Sequence, residues 1–465
     1  LNLQYDANKS GSCQWFYFAI NNTRKDVVYT FYISGFHKAK DVLNSGSKIF
    51  MYSQKASINT GTSWSRSGYN YAYGYIPSEN PKSFPIHSIS KPSKISPAFS
   101  YPNSLSAKPD SASSSDDQDS PTNDQEPAPK PKPKNRASLQ FQIKFPYDFD
   151  TVYLCYSLPY TYSDLLRSIS HWTKKSPLLV TNETLCETVG GKSCPLLTIT
   201  SPQFPNEKKK IIFITGRVHP GESNSSYVTH GLIDFLLSPT ITSKYLLEHY
   251  VFKIIPMINI DGVIEGFYRC SLSGYDLNRV WTFPDPNLHP VVYHAKQFMR
   301  DNQMSIALYI DFHGHCRLHG TFAYGCPNEF DNLLKDKEKV FPRLISMLSD
   351  AFLWDKCEFS YPNARKSSGR IVARTEFGII QSFTVETSFG GIPQGPMSGL
   401  LNDERIWKGV GAKIGESMFH FFNQATGVRK FVERELATGI DPSRAEFSAL
   451  QWQRQMKREM NMDHK

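Results

Sequence analysis

Between residues 13 and 76 apolar and polar positions alternate at short range. The runs Trp15 to Ile20, Val27 to Ile33 and Tyr69 to Tyr75 are rich in aromatic and β-branched residues and are broken by Asn and Gly clusters. This pattern predicts strands of an all-β unit. The same texture returns at Leu139 to Ile143 and Thr151 to Tyr156. From about Tyr162 the pattern changes to short apolar runs separated by helical stretches. Lys210 to Thr215, Val251 to Ile258, Ser305 to Asp311 and Ile379 to Glu386 read as buried strands. Ser223 to Leu237, His289 to Arg300 and Glu404 to Phe422 read as helices, the first with Val228, Leu232, Phe235 and Leu236 on one side. The expected fold class is therefore α/β: an N-terminal antiparallel β-sandwich, then a domain with a mixed, mostly parallel central sheet and flanking helices.

Composition adds one feature to that outline. Of the 30 prolines in 465 residues, 12 fall within residues 77–138 together with 15 serines, a make-up that buries too little apolar surface to offset its ordering entropy. The segment is expected to be a disordered insertion inside one sandwich. Closing such a loop costs only about a few kcal/mol, because the cost grows logarithmically with length. The expected divisions are an accessory domain at 1–160 containing that insertion, a catalytic domain at 161–425 and a charged helical tail at 426–465. No run of about 18 apolar residues is present, and the first residues lack the layout of a secretory signal, so a soluble cytoplasmic protein is expected. The absence of Met at position 1 suggests a truncated or processed chain. The eight cysteines form no CxxC pair and read as reduced thiols, mostly in the core. The net charge of +9 suits either an acidic partner or a solvated surface.

In parallel α/β sheets the ligand site lies beyond the carboxyl ends of the strands, and polar residues collect there. After the strand ending at Thr215 comes Arg217-Val218-His219-Pro220-Gly221-Glu222. A His and a carboxylate three residues apart on a tight turn can face one ion, as zinc sites require, although a surface loop could carry the same pair by accident. The strand from Ser305 runs into Asp311-Phe312-His313-Gly314-His315, which supplies a remote third ligand in His313. Two near ligands, one remote ligand and a position left for water make the layout of a catalytic zinc site. His315 fits better as a neighbour of the ligands or a wall of the substrate pocket. Glu386 ends an apolar strand, where an unpaired charge needs a partner or a function, and it would serve as general base for a zinc-activated water. Arg269, Asn278 and Arg279 form a group able to clamp a carboxylate.

The ordered set His219, Glu222, Arg269, Asn278, Arg279, His313 and Glu386 resembles the M14-type zinc carboxypeptidases. More narrowly, the chain is similar to the cytosolic carboxypeptidases, which carry a β-sandwich ahead of the peptidase domain and remove glutamates from tubulin tails and other acidic proteins. The motifs that carry the likeness include Trp15 to Phe18, Trp64-Ser65-Arg66-Ser67-Gly68, Tyr156 to Ser163, Gly216 to Glu222 and Asp276 to Arg279. The resemblance implies one zinc ion per chain held by His219, Glu222 and His313, with Glu386 as base and proton shuttle. It also implies that Arg269 polarises the scissile carbonyl and that Asn278 and Arg279 hold the terminal carboxylate. Glutamylated tubulin tails or other polyglutamylated proteins are the implied partners, with the chain acting as a monomer, free of nucleic acid and membrane, and the implied location is cytoplasmic with microtubule or cilium association.

Three departures from the family pattern stand out. Asn259-Ile260-Asp261-Gly262 replaces the usual Asn-Pro-Asp-Gly, Phe267 stands where an Asn is common, and Cys316 where a Ser is frequent. Phe267 would alter how the Arg269 loop is braced. The segment Lys366 to Arg374 resembles the wall of the pocket that reads the terminal side chain. Arg370 is the first choice for a cation facing glutamate, with Lys366 and Arg374 as alternatives, and Tyr361 is a candidate for the tyrosine that closes over substrate. Two other readings compete: a non-catalytic microtubule-binding relative, and a zinc deacylase of small amino-acid amides. All three ligands and Glu386 are present, against the first; the sandwich favours a macromolecular substrate, against the second. No GxSxG elbow occurs, which leaves a serine hydrolase without its motif.

Overall fold

The computed structural model describes residues 1–7, 12–75, 136–328 and 334–438. Seven strands form the N-terminal unit: β1 (Tyr17–Ile20), β2 (Val28–Phe36), β3 (Ile49–Ser53), β4 (Ser65–Ser67), β5 (Tyr69–Tyr75), β6 (Ala137–Lys144) and β7 (Val152–Cys155). They make two antiparallel sheets, in the orders β1-β7-β3-β4 and β2-β6-β5. Alternation explains the layering. In β6, Ala137, Leu139, Phe141 and Ile143 are buried while Gln140 and Gln142 face away from the core, and the buried set packs with Ile33, Phe36, Ile49, Val152 and Leu154 between the sheets.

Strand β5 pairs with β6, with Tyr75 opposite Ala137, so one sheet spans the Pro/Ser-rich segment. The expected disorder of that segment lies outside the described residues, except at its end. Ala137 and Ser138 belong to β6, because Ala137 fills the sandwich core and both residues find ladder partners on β2.

The second unit is an eight-stranded sheet. Its strands are β8 (Val180–Glu187), β9 (Ser193–Ile199), β10 (Lys210–Gly216), β11 (Tyr250–Ile255), β12 (Ile306–His315), β13 (Thr321–Gly325), β14 (Glu358–Phe359) and β15 (Ser382–Ser388), in the order β14-β13-β15-β12-β10-β11-β9-β8. The four central strands, β15, β12, β10 and β11, run parallel, while β9 and β13 join them antiparallel. The parallel centre is the apolar part, with Ile212, Phe213, Ile214, Leu308, Ile310 and Phe383 all buried, as sheets covered on both faces require. Strand β12 extends past the expected end at Asp311 to His315, and this places His313 inside the ladder directly beside Glu386 of β15.

Helices Ser223–Leu236, Pro290–Asn302 and Glu404–Phe422 lie close to their expected positions. The helix Val428–Thr438 departs from the expectation of a separate charged tail. Val428 and Val432 are buried in the core of the second unit, and Arg343 and Lys337 pair with Glu435 and Glu433 at 2.9 and 3.2 Å. Residues 439–465 of the expected tail lie outside the described residues. No helix among the described residues is long and apolar enough to cross a membrane.

Because Tyr75 and Ala137 are cross-strand neighbours, a short Gly/Ser linker replacing residues 78–134 should leave the thermal midpoint and metal content of the protein unchanged. A deletion that also removes 136–138 should lower the midpoint. Differential scanning fluorimetry and metal analysis of the two variants check both statements.

Candidate metal centre and active site

The site grows from the carboxyl ends of the parallel strands. Leaving β10, the chain turns at Arg217, which adopts φ 55°, in the region favoured for glycine. Its buried guanidinium compensates by bonding the carbonyls of Pro220 (2.7 Å) and Tyr160 (3.1 Å) and the Ser226 hydroxyl (2.9 Å). Asn259 ties down the same turn through Val218 O at 3.2 Å. His219 and Glu222 are thereby presented together, 5 % and 4 % exposed, with Glu222 immediately ahead of the helix Ser223–Leu236.

Glu222 lies between two imidazoles. Its Oε1 is 2.8 Å from His219 Nδ1 and its Oε2 is 3.1 Å from His313 Nδ1. One donor atom from each of the three residues lies within 4.8 Å of the others, a set able to hold a metal ion. The far nitrogens are engaged elsewhere: His219 Nε2 is 3.1 Å from Asp276 Oδ1 and His313 Nε2 is 2.6 Å from Asp311 Oδ2. Carboxylates behind both histidines orient the rings so that Nδ1 faces inward. The N, N, O donor set of two imidazoles and one carboxylate suits zinc. Gly314 completes the cradle by donating its amide to Glu222 Oε2 at 2.9 Å; a Cβ at that position would come within 2.2 Å of Asn224 Oδ1.

The electrostatics follow from this crowding. Burial alone would raise the Glu222 carboxyl, but His219 and His313 hold it well below the usual carboxylate range. Burial likewise opposes ionisation of Asp276, and Arg269 and His219 overcome it. His313 is raised well above the usual imidazole value despite burial, because Asp311 and Glu222 flank it. A metal ion arriving at Nδ1 takes the place of a proton, so binding is coupled to pH.

Glu386 behaves oppositely. Its side chain is 15 % exposed, yet Oε2 is shielded and has no hydrogen-bond partner; the nearest imidazole nitrogen, His315 Nδ1, is 3.9 Å away. Burial pushes this carboxyl up to about 7, against the pull of His313 and with the push of Glu222. A carboxylate poised near neutral pH beside a metal-type cluster is suited to general-base work. His315 is lowered to about 3 by burial, with Lys38 and Arg317 adding to the effect, and stays neutral at physiological pH.

Arg269 is held by Asp276, with Nε and Nη2 at 2.8 and 2.6 Å from Oδ2. Asp276 Oδ1 also accepts the Asn278 amide at 2.8 Å, so one carboxylate aligns a candidate ligand, a candidate electrophile and the next loop. The Asn278 side chain is engaged inside the protein, accepting Gly369 N at 3.0 Å and lying 3.2 Å from His313 Nε2. Arg279 is half-buried and donates to Asn278 O at 3.0 Å.

The basic wall is less uniform than the sequence suggests. Arg370 is buried and donates through Nη1 to the carbonyls of Gly325 and Ser360. Arg374 is tied to Asn328 Oδ1 at 2.8 Å, and Lys366 is exposed. Tyr361 is exposed and donates to Pro327 O at 3.2 Å. Arg365, which sequence reasoning passed over, is the cation of this segment that acts on both Glu386 and His315; its guanidinium lies 5.3 Å from the Tyr324 ring centre. Asp311 was legible, since residues two apart on a strand share a face and it precedes His313 by two. Asp276 lies in the Asp276 to Arg279 motif, but no local period ties it to His219, 57 positions away.

The zinc carboxypeptidase family pattern matches residues 165–394. The chain belongs to the zinc carboxypeptidase family. It is 33 % identical over 440 residues to human cytosolic carboxypeptidase 1, covering 89 % of this chain and 32 % of that protein. It is 34 % identical over 406 residues to Xenopus tropicalis cytosolic carboxypeptidase 2, covering 84 % and 36 %. The chain thus spans about a third of the length of these curated relatives. Among solved structures, a metallo-carboxypeptidase from Burkholderia cenocepacia superimposes with a TM-score of 0.63 at 18 % identity, covering 90 % and 91 % of the two chains. A Pseudomonas aeruginosa metallo-carboxypeptidase superimposes with a TM-score of 0.64 at 17 % identity, covering 91 % and 93 %. At that identity the likeness is one of fold, and it extends through the sandwich as well as the zinc carboxypeptidase domain.

The position of Glu386 has a measurable cost. Because its folded pKa lies above the usual 4.5, the stability that its neutral form supports is complete below about pH 4.5 and is lost as pH rises through about 7. In metal-free protein, Glu386→Gln should match wild type near pH 4.5 and exceed it at pH 8 by about 3 kcal/mol. Urea unfolding at the two pH values checks this; equal pH dependence of the two proteins contradicts it.

Proposed function

We propose that this chain is a zinc-dependent carboxypeptidase that removes C-terminal or side-chain-linked glutamates from acidic protein tails, of which glutamylated tubulin is one. The observation that carries the reading is the unpartnered Glu386 oxygen beside the His219–Glu222–His313 cluster. His219 Nδ1, Glu222 and His313 Nδ1 would hold the ion. When bound, zinc supplies a Lewis acid for the scissile carbonyl and lowers the pKa of water.

The residues of the chain do the rest. Glu386 accepts a proton from the attacking water and returns it to the leaving amine as the amide C–N bond breaks. Arg269, fixed by Asp276, donates hydrogen bonds to the carbonyl oxygen as negative charge develops on it. Such a donor is worth most when aligned in advance. Arg279 is the cation for the terminal carboxylate. Asn278 aligns the His313 and Gly369 side of the pocket through its amide, and its share in carboxylate binding requires exchange of one of those contacts. The names of the cytosolic carboxypeptidase relatives support a cytoplasmic setting, and the net charge of +9 favours approach of polyglutamate at low salt.

Incubation with a peptide ending in several glutamates, read by mass spectrometry, tests the activity. Glutamate should be released by the zinc-loaded protein and not after chelation, and Glu386→Gln should lower kcat by about 100-fold or more with zinc content unchanged. Release that survives either treatment overturns the proposal.

For specificity, Arg370 is the proposed reader of the glutamate side chain, with Arg365, Lys366 and Arg374 on the same wall. Arg370→Ala should reduce kcat/KM for a C-terminal Glu by about 10-fold more than for a neutral C-terminal residue, the worth of one charge-assisted hydrogen bond. Equal losses assign Arg370 only its bracing of Gly325 and Ser360.

A further inference from the structure

The loop that carries Arg269 is held from outside the catalytic domain. Asp6 Oδ1 accepts the Tyr268 amide at 2.7 Å, and Oδ2 accepts the amides of Arg269 at 2.7 Å and Cys270 at 2.8 Å. Asp6 is 7 % exposed. Three consecutive amides converging on one buried carboxylate form charge-assisted bonds that fix the direction of the peptide planes.

The segment bearing Asp6 is itself anchored to the sandwich. Leu3 N donates to Ser34 O and Ser34 N to Leu1 O, both at 2.9 Å, along β2. Nearby, Trp15 Nε1 donates to Gly266 O at 2.9 Å. On its other side the loop meets the metal-ligand turn, where Gly221 N donates to Tyr268 O at 2.8 Å. A Cβ at Gly221 would approach Tyr268 Cδ2 to 2.6 Å, so this contact is possible only with glycine. The loop is thus clamped between Asp6 of the accessory unit and the turn that presents His219 and Glu222. Phe267 donates its backbone amide to Gly262 O at 2.8 Å.

We infer that Asp6 is a positioning residue for the reaction: the accessory sandwich, through this carboxylate, sets the Arg269 backbone so that its guanidinium meets the scissile carbonyl. The inference rests on the role proposed above for Arg269. It makes the sandwich part of the catalytic apparatus and not only a platform for substrate.

A double-mutant cycle on the full chain tests it. Asp6→Asn keeps the shape but leaves only one acceptor oxygen for three amides. It should lower kcat for the glutamate peptide by about 10-fold, with KM and zinc content near wild type. In an Arg269→Ala background, measured at high enzyme concentration, the same substitution should change kcat by less than about 2-fold, since a residue acting through Arg269 has nothing left to act on. Equal fold losses in both backgrounds, or no loss in either, overturn the inference. Full activity of Arg269→Ala alone would instead remove the proposed role of Arg269 and this inference with it. Asp6→Ala serves as a second variant, and should show the same dependence on Arg269 with a larger loss.

Discussion

One carboxylate shared by two buried imidazoles governs the centre of this molecule. Glu222 can face both His219 and His313 only because β10 and β12 are parallel neighbours whose carboxyl ends release the chain on the same edge. Burial of so many ionisable groups would be prohibitive without mutual compensation. Asp276 and Asp311 provide it from behind the imidazoles, and Arg269 offsets the charge of Asp276. The cluster therefore requires the loop of Asp276, the strand of Asp311 and the turn of Arg217 all to be in place at once.

Glu386 is the exception, and its isolation is what suits it to the proton transfer proposed for it. A fully partnered carboxylate would ionise at low pH and be a poor proton acceptor near neutrality. Burial, with no donor at Oε2 to offset it, raises its affinity for a proton toward neutral pH, and the fold accepts the resulting destabilisation. The two carboxylates, Glu222 and Glu386, have opposite shifts because one sits between imidazoles and the other does not.

The sandwich reaches the same edge of the sheet at separate points. Arg66, within the motif Trp64 to Gly68, stacks 3.8 Å from the Phe50 ring centre and donates to Phe389 O and Asn402 O, each at 2.6 Å, in the loop that follows β15. Lys38 places its ammonium 3.2 Å from Cys316 Sγ and 5.4 Å from the centre of the Tyr268 ring. Asp6 holds the Arg269 loop. The Arg66 and Asp6 contacts go to backbone groups, which tolerates changes in neighbouring side chains while keeping the two units in register.

Local spacing by itself determined the strand and helix periods, the change from sandwich to α/β texture, and the His219–Glu222 pair, since each depends on residues within one turn or strand of one another. It also marked His313 and Glu386 as polar residues at the ends of apolar runs. The tertiary structure decided what those residues meet: His313 lies 91 positions from Glu222, and Asp6 lies 263 positions from Arg269. No periodicity encodes such distances. The same holds for the basic wall, where Arg370, the first choice from the sequence, and its alternatives Lys366 and Arg374 differ in burial and partners once the helix Gly369–Thr375 is packed. Charge at a position can be read from a residue's identity; whether that charge is free, paired or spent on a carbonyl is decided by neighbours that only folding supplies.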